Sequence, residues 1–256
     1  MSEDIQEVSG QSVVLVGSFD PTLVQPQFLL EKGLVRESDL SSLKIETMIP
    51  DVAALSFSWL SIVVERTKIT ASTTLTYPAP EPVRDFILDL VKEMRSSRLT
   101  ALGINSDHHF QARDVQVWHR VGDRLAPKEG LWDQVLTNPG MQAIWVRGER
   151  DDRFDGYILV RVEPSTRISN GIYVQVNDHF EITANEADAA PHALLARLTD
   201  QWSASSQRSD RIINRDSPDE SQTGINVRVF PALLQDRREV LTATSTSGNP
   251  NAWSRV

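Results

Sequence analysis

Apolar and polar positions alternate with a period of two through much of the first third of the chain, which is the signature of half-buried strands. Lys44-Ile-Glu-Thr-Met-Ile49 alternates, and Pro50-Asp51 supplies a turn. Val52-Ala-Ala-Leu-Ser-Phe-Ser58 then runs through Trp59 into Leu60-Ser-Ile-Val-Val-Glu-Arg66, and the stretch from Thr67 to Thr76, rich in Thr and β-branched residues, alternates again. This predicts an antiparallel meander of three or four strands. Ahead of it, Ser12-Val-Val-Leu-Val-Gly17 is a short continuous apolar run that reads as a buried strand, and Gln25 to Lys32 reads as a short helix stopped by Gly33.

The period changes after Tyr77-Pro-Ala-Pro-Glu-Pro82. Val83, Phe86, Ile87, Leu90, Val91 and Met94 recur at helical spacing, with Arg84, Asp85, Asp89, Lys92 and Glu93 on the opposite face. A stripe this regular predicts a helix packed on a sheet, and Pro82 suits its first turn. Further on, Val115 to His119 fits a strand or a helix, and Leu131 to Leu136 fits a short helix stopped by Asn138-Pro139-Gly140. Met141 to Arg147 and Tyr157 to Val162 read as a hairpin around the charged run Gly148 to Gly156. Gly171 to Val176 adds a strand, and Ala187, Ala190, Leu194, Leu195, Leu198 and Trp202 mark a second amphipathic helix.

Segregated strands and helices predict an α+β fold: antiparallel β-meanders with two long amphipathic helices on one face. The pattern allows one continuous sheet or two sheet-plus-helix halves, 12–110 and 111–204. Residues 1–11 read as a flexible N-terminus, 12–204 as the folded domain and 205–256 as a polar linker and C-terminal tail. Within that tail, Ile225 to Phe230 is one more strand-like run, and Trp253 is a candidate anchor to a partner or to another copy of the chain.

Composition narrows the function classes. The 256 residues are 40% hydrophobic and 24% charged, enough for an ordinary globular core. A formal net charge of -9 argues against partners held mainly through phosphates, so nucleic acid is disfavoured, though a local basic patch stays open. There are no cysteines, which removes disulfides, thiol catalysis and Cys-built zinc sites. No secretory signal stands at the N-terminus and no apolar run approaches the ~18 residues of a membrane span, so the expectation is a soluble cytoplasmic protein without a membrane partner. Serine-nucleophile elbows, phosphate-binding loops and dinucleotide fingerprints are all missing, and no cofactor is expected.

One constellation has chemical potential. Two strand-like runs, Leu99 to Ile104 and Gly171 to Val176, each break into a polar group: Asn105-Ser-Asp107-His108-His109-Phe110 and Asn177-Asp178-His179-Phe180. Were the two runs neighbours, Asp107, His108, His109, Asp178 and His179 would share one edge as metal ligands or as acid–base groups. The plainer reading is that Asn, Ser and Asp end the strands in turns. The spacings match no metal motif. A second candidate is the charged hairpin tip, where Arg147, Arg150 and Arg153 alternate with acids and read as an exposed contact loop. Asp151 to Gly156 hints at a calcium loop, but Arg153 and Val162 stand where ligands belong.

Two resemblances touch the N-terminal motif. Gly17-Ser-Phe-Asp-Pro21 after a strand resembles the opening of the nucleotidyltransferase superfamily that includes phosphopantetheine adenylyltransferase. That family's His-x-Gly-His element has no counterpart here, because the chain continues Thr22-Leu-Val-Gln-Pro26-Gln-Phe28. The broader order is Val16-Gly-x-Phe-x-Pro21, then Gly103-Ile-Asn105 after the first long helix and Asn177-Asp-His179 before the second. It is similar to a sporadically distributed family of uncharacterised bacterial proteins, over most of residues 12 to 204. The resemblance implies an accessory or sensor role, of the kind that genes tied to mobile elements or phage defence carry, and no particular chemistry.

The resulting expectation is a non-catalytic binding or assembly protein that partners itself or another protein. The alternatives are a metal-assisted hydrolase or nuclease built on the Asp/His group, and a nucleotide or nucleic-acid sensor using the arginines of the 147–153 loop.

Overall fold

A computed structural model describes residues 7–73, 81–94, 98–182 and 190–213. The elements run β1 (Glu7–Ser18), α1 (Pro26–Glu31), β2 (Lys44–Ile49), β3 (Val52–Ser56), β4 (Ser61–Glu65), β5 (Lys68–Thr73) and α2 (Glu81–Glu93). They continue as β6 (Arg98–Gln111), α3 (Val115–Leu125), β7 (Ile144–Glu149), β8 (Gly156–Pro164), β9 (Gly171–Glu181) and α4 (Ala190–Ile213). All nine strands join one antiparallel sheet in the order β2-β3-β4-β5-β1-β6-β9-β8-β7. The fold is α+β, as the segregated pattern predicts.

The order contains the same run twice: a long strand, a helix, a meander and a second helix. The last strand of each meander returns to the strand that opened its run, β5 to β1 and β9 to β6, and the two opening strands pair with each other at the centre. The two halves of the pattern therefore fuse into one sheet. The break between the runs falls between α2 and β6, ahead of the expected boundary at residue 110.

All of the core lies on one face. Val13 and Leu15 of β1, Ile69 and Ala71 of β5, Leu102 and Ile104 of β6 and Phe180 of β9 point to α2 and α4, where Val83, Phe86, Ile87, Leu90, Leu194, Leu198 and Trp202 are buried against them. Farther along the same face, Phe110, Val162, Ile172, Val174 and Val176 cover Val117, Trp118 and Val121 of α3 and Ile213 of α4. The stripe predicted for α2 is thus its buried face. The ambiguous 115–119 segment is the start of a helix, because Asp114 accepts the Val117 amide at 2.7 Å and caps it. Trp118 then donates its Nε1–H to the Gly171 carbonyl at 2.9 Å and pins α3 to the head of β9.

Gly33, at φ +68°, stops α1 as expected. Gly156 opens β8 at φ +136°, where a Cβ would stand 2.0 Å from the His179 carbonyl oxygen; the charged loop closes onto the sheet only because this position has no side chain. Three expectations need correction. The stretch 1–11, expected to be flexible, is strand from Glu7, because residues 7–11 pair with Ser106 to Phe110 of β6. The segment Leu131 to Leu136 narrows to a 3-10 turn at Trp132–Gln134. The linker expected from residue 205 begins as regular helix, since α4 continues to Ile213 and buries Ser205, Ser209 and Ile213. The strand-like run 225–230 and Trp253 lie outside the described residues, and so does Ala187.

Candidate functional site

Helices and their connections cover one face of the sheet, and the other face carries the polar residues. Alternation makes this a matter of register: residues two apart share a face. On the open side, cross-strand partners form rows. One row runs Trp145, Arg161, Gln175, Asp107 and Gly10 across β7, β8, β9, β6 and β1. The next runs Glu163, Tyr173 and His109. On the other half of the sheet the small hydroxyls Ser56, Ser61, Ser72 and Ser12 stand in line across β3, β4, β5 and β1. Tall charged side chains on one flank and serines on the other leave a cleft of about 550 Å³ between them. The β3–β4 turn, with Phe57, Ser58 and Trp59, closes one end, and Thr166 and Arg167 of the β8–β9 loop close the other.

Asp107 is the centre of this cleft. Its Oδ1 accepts the Tyr173 hydroxyl and the Gln175 amide, the latter at 2.8 Å, and its Oδ2 takes no partner among the described residues. Burial first, and then the carboxylate it donates to, push the Tyr173 phenol far above its ordinary range, so Tyr173 is a fixed donor. Arg161 forks onto Glu163 Oε2 at 2.9 Å through Nε and 2.6 Å through Nη2, with its guanidinium 4.9 Å from the centre of the Trp145 ring. Arg167 makes no ion pair among the described residues.

His109 packs on Tyr173 with ring centres 4.8 Å apart, and its Nδ1 lies 2.8 Å from Ser165 Oγ. That oxygen already accepts the backbone N–H groups of Arg167 and Ile168 at 3.0 Å each. With both lone pairs engaged, the hydroxyl gives its proton to Nδ1, and the imidazole keeps its own proton on Nε2. Burial, and next the nearby Arg167 charge, hold the His109 pKa below 6.5, which agrees with a neutral acceptor ring. His179, stacked on Tyr157 at 4.4 Å, is also held below 6.5, chiefly by burial.

These two histidines fix a pH response. Folded-state values lower than unfolded ones contribute stability that is complete above pH 6.5 and lost as pH falls through the lowered values. The unfolding midpoint, followed from about pH 8 to about pH 5, is expected to drop, and His109→Gln to flatten part of the slope. An unchanged slope in that variant would remove His109 from the account.

The strands containing Asp107 and Asp178 are neighbours, but the five polar residues do not converge on one point. Asn105 to Phe110 and Asn177 to Phe180 are strand interior, paired residue for residue with Asn105 opposite Asn177. Each has a strand on both sides, so the polar residues alternate between faces instead of ending the strand. Asp107, His109 and His179 face the open side, and His108 and Asp178 face the helices. Even on the open side His179 stands opposite Gly103, four residues from Asp107, a separation of about 13 Å. Among the described residues, no group of three or more His, Asp or Glu is placed to share a metal ion.

Asp178 belongs to a different structure. It is 1% exposed and forms ion pairs with Arg150 and Arg208, and it accepts the Ser205 hydroxyl at 2.5 Å. Asp152 joins the cluster, 2.5 Å from Arg150 and 3.1 Å from Arg208. The Arg150 guanidinium carbon stands 3.9 Å from the centre of the Phe180 ring, and its side chain is 2% exposed. The hairpin tip is thereby nailed to α4. Of the expected contact loop, Arg150 is therefore internal, while Arg147, over the Tyr157 ring at 4.0 Å, and Arg153, 5.3 Å from the Phe154 ring, stay exposed. Tyr173, Gln175, Arg161, Glu163 and Arg167 line the cleft, and Ser165 holds His109 in it, although no sequence motif marks them. Their signal was the alternation of Tyr173, Gln175, Asn177 and His179 within one strand.

No protein-family model and no curated protein matches the chain. Among solved structures, a rolling circle replication initiator protein from Geobacillus stearothermophilus is similar at 10% identity and a TM-score of 0.27, over 77% of this chain and 80% of that one. A likeness at that level carries no argument about fold or activity.

Proposed function

We propose that this chain is a non-catalytic binding protein, an accessory, scaffold or sensor subunit that receives a small polar ligand in the cleft of the open face. The observation that carries the reading is how the cleft's acid and base groups are spent. Asp107 Oδ1 is saturated by Tyr173 and Gln175, Glu163 is held by Arg161, and His109 is locked as a neutral acceptor by Ser165. With His109 held as a neutral acceptor and Glu163 paired to Arg161, Asp107 has no second acid–base group poised beside it, and its remaining oxygen is set to receive a ligand's donor. What remains uncommitted is Asp107 Oδ2, which accepts, and the Arg167 guanidinium, which donates. The complementary ligand presents an anionic group to Arg167 and a hydroxyl or amine donor to Asp107, with further hydroxyl contacts to Ser56, Ser61 and Ser72.

Calorimetric titration of a panel of amino acids, hydroxy acids, sugars and sugar phosphates tests this. A binder is expected whose affinity falls about 10- to 100-fold in Asp107→Asn and in Arg167→Ala, the size of one charge-assisted hydrogen bond. Binding indifferent to both variants would place the ligand elsewhere. Turnover of a phosphoester that depends on a divalent metal and on Asp107 would replace the binding reading with the hydrolase one.

A further inference from the structure

The sheet has two edges among the described residues, and they are not equivalent. β2, at one end, is broken by a register shift between Ile45 and Thr47. A bulged edge of this kind, with Lys44 and Glu46 in it, is a device that discourages another strand from adding on. β7, at the other end, also contains charged residues, Arg147 and Glu149, but no bulge interrupts it. It pairs with β8 without a shift from Ile144 opposite Val162 to Glu149 opposite Tyr157, and it contains no proline. Its outer backbone groups have no strand to bond to among the described residues. Trp145 and Val146 are 57% and 55% exposed, and the chain leading into the strand exposes Leu131, Trp132, Val135 and Leu136 as well. Six of the eleven exposed large hydrophobic residues thus fall between 131 and 146.

We infer that β7 is a self-association edge, which pairs antiparallel with β7 of a second copy about a two-fold axis through Val146 and makes one sheet of two. The sequence of the strand selects this occupant and this register. Centred on Val146, an antiparallel pair sets Val146 against Val146 and sets Trp145 against Arg147 at both ends, a cation over an aromatic face each time. A shift that centres the pair on Arg147 would oppose two guanidinium groups, which like-charge repulsion disfavours. Six residues of strand alone bury less than the ~1,600 Å² of a standard interface. The exposed hydrophobic residues at 131–136, in the segment that feeds the strand, supply the additional apolar surface. The dimer would leave both clefts on the same side of the joined sheet. The inference stands independently of what the cleft binds.

The absence of cysteine makes the test direct. Residues opposed across an antiparallel pair have Cα atoms about 4.5–5.5 Å apart, within disulfide reach. The full-length Val146→Cys protein is expected to form a disulfide-linked dimer under mild oxidation, while Ile45→Cys on the bulged edge stays uncrosslinked. Sedimentation of the wild-type protein is expected to give a dimer, and Val146→Lys to raise its dissociation constant at least about tenfold with no loss of thermal stability in the monomer. A wild-type monomer at every concentration overturns the proposal and assigns the edge to another segment of the chain or to another protein. A dimer unaffected by Val146→Lys, or crosslinked through Ile45→Cys instead, overturns it as well.

Discussion

Replacing Asp178 by alanine is expected to destabilise the protein by about 3–5 kcal/mol, the cost of leaving buried cations without their counter-charge. Arg150 and Arg208, 2% and 12% exposed, both spend a guanidinium edge on this one carboxylate. Asp152 remains to pair them, but it is 23% exposed and already engaged by both. The loss should be larger than for either arginine alone, because the aspartate is the point where strand β9, the β7–β8 loop and helix α4 meet. Asp178→Asn keeps the shape and the Ser205 contact yet removes the charge, and separates the two contributions. The cluster also sets an acid limit. The Arg150 side chain, through its hydrogen bonds, holds the Asp152 carboxyl below its ordinary 3.8; the stability it contributes is present above that value and lost as pH falls through the lowered one. Denaturant unfolding of the variants measures the difference, and a change under about 1 kcal/mol would show that the ion pairs are dispensable.

The second large effect belongs to Trp202. Its side chain is 2% exposed within the core that joins α2, α4 and the sheet, with Leu198 and Leu194 one and two turns earlier on the same face. Arg84 of α2 stands 5.9 Å from the ring centre and covers its outer side. Truncation to alanine empties a volume that neighbours from two helices and a sheet cannot jointly fill, and is expected to cost about 3–5 kcal/mol. For a domain of this size that is a fall of about 2–4 °C in melting temperature per kcal/mol. Trp202→Phe, which refills most of the space, should recover much of the loss. Equal melting temperatures for wild type and Trp202→Ala would mean that α4 is not clamped to the sheet through this residue.

Both residues show what the sequence makes legible. The stripe of α2 and the period-two alternation of β3 to β5 are repetitive signals, and a core contacts them in one way only. Leu194, Leu198 and Trp202 were readable for the same reason. Asp178 was visible as a chemically capable residue, but its meaning depends on which face of β9 it takes and on what packs there. The polar sequence of Asn177-Asp178-His179 reads as a strand end unless one knows that β6 and β8 flank it and that arginines from residues 150 and 208 arrive above it. The extension of α4 past Ala204 was hidden likewise. Ser205 and Ser206 look like linker residues until they are seen meeting Asp178 and Gln11. On the open face, Asp107 keeps one of its expected companions, His109, which lines the same cleft, while His108, Asp178 and His179 stand elsewhere. Its real partners, Tyr173 and Gln175, come from a strand far along the chain, and only sheet register reveals them.

On the proposed reading the two faces of one sheet divide the labour: Asp178 on the helix side holds the fold, and Asp107 on the open side is kept for recognition. Parallel unfolding of Asp107→Asn and Asp178→Asn is the most direct test. The expected result is a melting temperature near wild type for Asp107→Asn, which keeps its Tyr173 and Gln175 contacts as a neutral amide, and a fall of several degrees for Asp178→Asn. Equal destabilisation by the two substitutions would contradict the account, since it would make Asp107 a structural group like Asp178.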